Sequence, residues 1–474
     1  MTVSIIPTRK SRSTAGAGGG GGLEEAWLVV EAPPAKKSHA IRASSTAWGV
    51  TVGVGLRGHF YWLLLLALVL LVVLAASVTT DNGGVEPYAP PAAVSRSSHA
   101  TGVGNDDDAA GECDMSSGRW VYDAAAYPLY RESACRFMSD QAACEKFGRA
   151  DLRYQHWKWQ PHGCDLPRFD ATRLLRKLRD KRMVFVGDSL NRNQWVSMVC
   201  LIDTATRPLH KSMTNNGSLI SFKVHEYNTS VDFYWSPLLV ESNSDHPVHH
   251  RLADRVVRAG SIAKHATRWA DADVLVFNSY LWWRRPGIKV LRRSFEPAAE
   301  AAHGAAFEVT DGLHAFELAI RTWSEWLELH VDRARTKLFF TSMSPTHQHS
   351  DEWDAGGGGN HQCYNETESI AAEGHRGRDT DPAFARAVEA AVARLGQRGV
   401  AVRVLNVTRL SEQRKDAHPS VHRRQWSPPT AEEMAARARD PSSGADCIHW
   451  CLPGVPDVWN QMLYAHIVSS LVMI

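Results

Sequence analysis

The fold class this 474-residue chain predicts is α/β, with a mostly parallel sheet at its centre. Two observations carry that reading. Short strand-like apolar runs recur at 183–189, 273–279, 337–344 and 401–407, and segments of helical period separate them, such as 312–331 and 381–395. Apolar strands alternating with helices build a sheet covered on both faces. The second helical segment also carries its own start signal, Asp381 as N-cap followed by Pro382 at the first helical position.

In chain order, residues 1–59 contain a glycine run at 16–22 interrupted only by Ala17 and show no sustained periodicity, so a disordered cytosolic tail is expected. Residues 60–78 form a run of 19 without a charge, close to the roughly 20 that span a bilayer as a helix. A signal-peptide h-region is the alternative, but the length of the run and its distance from Met1 fit a retained signal anchor better. Seven Lys and Arg precede it, and only Arg96 stands among the acids of 79–112, which directs the N-terminus to the cytosol and the bulk of the chain to a lumen. Residues 79–112, with their prolines and Asp106–Asp108, read as a flexible luminal stem. The folded domain is expected over 113–474. Within it, 220–227 and 231–239 look like a hairpin, 356–360 and 413–440 like surface loops with a short helix at 431–438, and 458–471 like a terminal helix.

All eight cysteines (Cys113, Cys135, Cys144, Cys164, Cys200, Cys363, Cys447, Cys451) follow the apolar run, which fits four disulfides in an oxidising lumen. On the order of a hundred pairings are open to them. No Cys-x2-Cys pair supports a metal site. Four N-glycosylation sequons, at Asn216, Asn228, Asn365 and Asn406, fall on the same side. A net charge of +2 spread over this length argues against nucleic acid as a partner. Most of the 17 tryptophans are expected to fill the core, with Trp282, Trp283 and Trp450 the candidates for stacking on a sugar.

The chemistry is carried by two short motifs. Gly187-Asp188-Ser189 ends the first apolar run and opens an apolar segment, so Ser189 belongs on a strand-to-helix turn where a hydroxyl is exposed. Some 250 residues later, Asp446-Cys447-Ile448-His449 offers a base and a carboxylate three residues before it to orient the imidazole. Each motif alone is a frequent chance occurrence; together, in these contexts, they read as a serine acyl-transfer site. Asp188 is either a substrate contact or a helix N-cap, and Asn278 and Ser344 sit with Ser189 at predicted strand ends, where reactive groups of such sheets collect.

Longer blocks carry a resemblance. Gly187 to Gln194, Phe277 to Trp283, Phe340 to Pro345 and Asp446 to Asn460 resemble the trichome birefringence-like proteins of plants, and Trp282-Trp283 with 288–295 looks most like their xylan O-acetyltransferase branch. The resemblance runs from about Cys113 to the C-terminus. It implies an SGNH/GDSL-hydrolase-like three-layer α/β/α fold, a type II Golgi membrane anchor, disulfides, and transfer of acetyl groups to O-2 or O-3 of wall xylan through an acetyl-serine on Ser189. His449 would serve as base and Asp446 as its orienting carboxylate. The Ser189 N–H with Arg192 or Asn278 would meet the oxyanion, and Trp283 would contact the sugar. No bound cofactor or metal is expected. An acetyl donor is required, with acetyl-CoA the plausible one, and xylan is the expected acceptor. Two alternatives keep the fold: an acetyl esterase with the same triad, and a non-catalytic polysaccharide-binding scaffold.

Overall fold

The run Met183-Val184-Phe185-Val186 is apolar at every position because the strand that holds it is buried on both sides. The computed structural model describes residues 113–291, 307–354, 361–372, 374–424 and 429–469. The expected tail (1–59), apolar span (60–78) and stem (79–112) lie outside them. Among the described residues no helix is long and apolar enough to cross a membrane.

Thirteen strands are described: β1 Gly118–Tyr122, β2 Trp157–Pro161, β3 Arg182–Gly187, β4 Lys211–Asn216, β5 Leu219–Val224, β6 Thr229–Trp235, β7 Glu241–Ser242, β8 Val256–Arg258, β9 Val274–Phe277, β10 Ile288–Leu291, β11 Phe307–Thr310, β12 Lys337–Thr341 and β13 Val402–Leu405. The helices are α1 Ala171–Lys177, α2 Ser189–Ala205, α3 Ala263–Ala266, α4 Gly312–His330, α5 Pro382–Gln397, α6 Thr408–Glu412, α7 Ala431–Arg439 and α8 Val455–Ser469.

Seven strands form the central sheet in the order β13-β12-β9-β3-β6-β5-β4. The first five run parallel, and β5 and β4 extend the sheet antiparallel. Successive side chains of a strand point to opposite faces, and β3 shows the result. Met183 and Phe185 pack with Trp195, Met198 and Ile202 of α2 and with Val458 and Met462 of α8. Val184 and Val186 pack on the other side with Phe316, Ile320 and Trp323 of α4 and with Phe384 and Val388 of α5. The expected α/β fold with helices on both faces is thus observed, and the expected hairpin is the β5–β6 pair. Asp381 caps α5 by accepting from the Ala383 N–H at 2.8 Å, with Pro382 behind it.

From β3 the chain reaches β6 on one side of the sheet and then crosses to β9 on the other. That reversal opens a crevice at the carboxyl end of β3, where parallel sheets place their ligands.

Two outlying sheets had no signal in the sequence: the pair β1–β2, and a four-stranded sheet ordered β11-β10-β8-β7. The stretch expected as a surface loop over 413–440 is corrected in its first part. Arg414 and His418 are each only 1% exposed, because Arg414 forms an ion pair with Asp416 and gives a further hydrogen bond to the Tyr154 carbonyl. The four sequon asparagines are all exposed.

Candidate active site

The site begins with a close approach of backbones. A Cβ at Gly187 would lie 2.5 Å from the Asn278 carbonyl oxygen, so only glycine lets β3 end against the segment that follows β9. Asp188 then caps α2. Its Oδ1 accepts from the Leu190 N–H at 2.9 Å and its carbonyl from the Arg192 N–H at 3.0 Å, and both bonds fix the first turn. Ser189 is the first residue of that helix, so its hydroxyl and N–H sit at the positive end of the helix dipole.

Residues 446–451 arrive from the far end of the chain and are held at several points. Asp446 and Ser420 exchange backbone hydrogen bonds at 2.9 and 3.0 Å, Cys447 is bonded to Cys363, and Cys451 to Cys144. The other pairs are Cys113–Cys164 and Cys135–Cys200. The expectation that Cys447 and Cys451 pair with distant cysteines and fix this loop is met.

The result is a connected triad. The Ser189 hydroxyl lies 2.8 Å from His449 Nε2, and His449 Nδ1 donates to Asp446 Oδ2 at 2.9 Å and Oδ1 at 3.1 Å. Asp446 Oδ1 also accepts from the His449 N–H at 3.1 Å. Burial alone would push this carboxyl up, but the His449 imidazole, Arg423 at 3.5 Å and the backbone N–H hold it well below the usual carboxylate range. Asp446 therefore stays ionised and keeps the proton of His449 on Nδ1, leaving Nε2 to accept from Ser189.

The remaining candidates separate. Arg192 is half-buried and lines a small pocket beside Ser189, with Gln141, Asn193 and Val196 among its neighbours. Asn278 is buried, with Nδ2 donating to the Thr341 carbonyl at 3.3 Å and Oδ1 without a hydrogen-bond partner. Ser344 accepts from Trp450 Nε1 at 2.8 Å, which makes it a brace for the loop. Asp188 is the helix cap of the two readings offered for it. Its Oδ2 is buried without a partner, and burial pushes the carboxyl up to about 6 against the opposing pull of the Leu190 and Asn191 N–H groups and His449.

Trp283 is corrected. It is fully buried, gives its Nε1–H to Ser279 Oγ at 2.8 Å and packs against Phe316, so no ring face is open to a sugar. Trp450 is equally buried, stacked on His418 at 4.1 Å. Trp282 is half-buried with the Arg255 guanidinium 4.2 Å from its ring centre. The Trp283→Ala variant should cost about 3–5 kcal/mol of stability while leaving the KM for a carbohydrate acceptor unchanged, which urea unfolding and steady-state kinetics will read.

A further prediction concerns pH. A carboxyl whose folded pKa is raised to about 6 from 3.8 contributes on the order of 3 kcal/mol of stability that is fully present below 3.8 and lost as pH rises through about 6. Urea unfolding of Asp188→Asn beside the wild type at about pH 5 and pH 8 should show the difference moving in favour of the variant at the higher pH by about 1.4 kcal/mol. A difference independent of pH would remove this account of Asp188.

One residue at the site escaped sequence reasoning. Asn193, one helical turn after Ser189, accepts from the Trp450 N–H at 2.7 Å and donates to the Trp450 carbonyl at 3.2 Å. It ties the helix of the nucleophile to the loop of the base, and its i, i+4 spacing from Ser189 was the available signal.

Residues 166–466 match the PC-Esterase family, described as a GDSL/SGNH-like acyl-esterase family found in Pmr5 and Cas1p, and residues 111–165 match the PMR5 N-terminal domain. Over 489 aligned residues the chain is 63% identical to xylan O-acetyltransferase 14 of Oryza sativa subsp. japonica, covering 99% of this chain and 100% of that protein. The chain belongs to the trichome birefringence-like family. Within that family it is 54% identical to protein trichome birefringence-like 34 of Arabidopsis thaliana, over 76% of this chain and 86% of that protein. Xylan O-acetyltransferase 13 of Oryza sativa subsp. japonica is 50% identical over 76% of this chain and 70% of that protein. The GDSL/SGNH-like assignment agrees with the three layers observed.

Proposed function

We propose that this chain is an O-acetyltransferase that places acetyl groups on O-2 or O-3 hydroxyls of xylosyl units in cell-wall xylan, through an acetyl-serine on Ser189. One observation carries the reading: a preassembled Ser189-His449-Asp446 triad in a chain 63% identical, over 99% of its length, to a xylan O-acetyltransferase.

The chemistry follows from the geometry. Ser189 Oγ attacks the acetyl carbonyl of the donor while its proton passes to His449 Nε2, and the imidazolium then protonates the departing donor. The developing oxyanion is met by the Ser189 N–H at the helix N-terminus, with Arg192 or Asn278 as its second partner. In the second half-reaction His449 takes the proton of a sugar hydroxyl, that oxygen attacks the acetyl-serine carbonyl, and Ser189 Oγ leaves with the proton returned. Asp446 stabilises the imidazolium in both steps.

The donor we propose is acetyl-CoA. We further place residues 60–78 in the Golgi membrane as a type II anchor, with 1–59 cytosolic, 79–112 a luminal stem and 113–474 the luminal catalytic domain. Four disulfides and four exposed sequon asparagines support a luminal setting for that domain. The full-length chain expressed in a secretory host should then lose mass on endoglycosidase treatment.

The function itself is tested by intact mass spectrometry of the full-length chain given acetyl-CoA and then xylo-oligosaccharides, beside Ser189→Ala. One acetyl gained by the wild type and passed to the sugar, with none on the variant, is the expected result. Loss of the acetyl to water alone makes the protein an esterase, and xylan binding without acylation makes it a scaffold.

A further inference from the structure

Behind the triad a pair of histidines is buried, and its hydrogen bonds do not balance with neutral rings. His347 Nε2 lies 2.9 Å from the Glu412 carbonyl oxygen, and His418 Nδ1 lies 2.6 Å from the His449 carbonyl oxygen. A carbonyl only accepts, so each of these outer nitrogens carries a hydrogen. The inner nitrogens, His347 Nδ1 and His418 Nε2, face each other at 2.6 Å. In two neutral imidazoles both would be lone pairs, and two lone pairs at that distance repel. One additional proton between them turns the repulsion into a charge-assisted hydrogen bond and satisfies all four ring nitrogens.

We propose that His347 and His418 share one proton and act as a positively charged positioning pair, which holds the catalytic loop through the carbonyl of His449. The proposal rests on His449 being the base of the triad. Asn193 grips Trp450 from one side, and His418 grips the preceding carbonyl from the other, so the imidazole of His449 is fixed between two anchors. The indole of Trp450 is stacked on His418 at 4.1 Å, where a ring face favours a cation.

The charged groups around the pair oppose and favour the proton in turn. Burial pushes both imidazoles down. Arg149, which donates to the His418 carbonyl at 2.5 Å, and His375 and Lys415 on the His347 side add repulsion. Asp446 attracts the proton towards His418, and Asp416 towards His347. Lys415 is itself paired with Glu366, Asp416 with Arg414 and Asp446 with Arg423 and His449, so no unpaired carboxylate holds the proton in place. The pair therefore releases its proton as pH rises, and with it one grip on the loop.

The test uses the full-length chain and the rate of Ser189 acylation by p-nitrophenyl acetate across about pH 5 to 8. In His347→Gln the side-chain amide donates to His418 Nε2, so no shared proton is needed. The wild type should lose about tenfold in rate as the pair deprotonates, while His347→Gln stays within about threefold of the wild-type maximum throughout that limb. His418→Leu should be at least about tenfold slower at every pH. Identical pH dependence in wild type and His347→Gln would overturn the proposal. Histidine-selective 15N NMR of the wild type reads the pair without any reaction, and so separates its failure from failure of the triad reading. A ring N–H signal shared by the two histidines and lost on raising pH supports the pair, and two rings neutral across the whole range refute it.

Discussion

Replacing Ser189 by alanine should lower acetyl transfer at least about 10³-fold with no loss of stability. The serine is half-buried, and within the triad its side chain bonds only to His449, so alanine removes the nucleophile without opening a cavity or stranding a buried donor. His449 keeps its bond to Asp446 and stays in place. Asp446→Asn should act through a different step. The amide cannot favour the Nδ1-protonated tautomer, and the rate should fall by on the order of 10⁴-fold with acylation as the slowed half-reaction. Pre-steady-state release of the donor's leaving group reads both variants. A Ser189→Ala protein that retained transfer would remove the acetyl-serine and return the scaffold reading.

Removing the Cys144–Cys451 and Cys363–Cys447 bonds together should produce the other large effect, a loss of stability beyond about 3–5 kcal/mol with activity lost before the sheet unfolds. The first closes 307 residues of chain and the second 84. Longer closures restrict the unfolded chain more, so the 144–451 bond should contribute the larger share. Both end within two residues of His449, on either side of it. Replacing each pair by serine separately, and following acylation and urea unfolding in parallel, gives the expected order. Activity should fall at lower urea than the loss of helix signal, because the loop depends on these bonds and the sheet does not. Coincident transitions in the variants would mean that the loop is held by its packing alone.

The sheet was legible because its strands are buried on both faces and hence unbroken in apolarity. β9, β12 and β13 fall inside the runs expected for them, β3 starts one residue before its run, α4 and α7 end within a residue of expectation, and α8 starts three residues earlier than expected. The triad was legible for a different reason: a serine after a strand and a histidine three residues beyond an aspartate are both local patterns. What failed was everything that depends on tertiary burial. Trp283 and Trp282 are neighbours in an aromatic block, yet one is core and the other half-exposed, since the turn at 281–283 sends their side chains apart. β8 and β11 are three and four residues long, too short to show a period of their own. His418 lies in a polar stretch that reads as surface, and its burial is set by the fold of Arg149, Trp450 and His347 around it. No periodicity announces a residue buried by others so far away in sequence.

The 260 residues between Ser189 and His449 give the reaction a place in the life of the polypeptide. A ribosome that has completed β3 and α2 has made a serine with no base. Asp446 and His449 are made some 260 residues later, in a segment whose Cys447 and Cys451 pair with cysteines made earlier. A chain that stops short of His449 is therefore inert towards acyl donors, and the appearance of a reactive serine reports that this late segment has been made and has docked on the helix of Ser189.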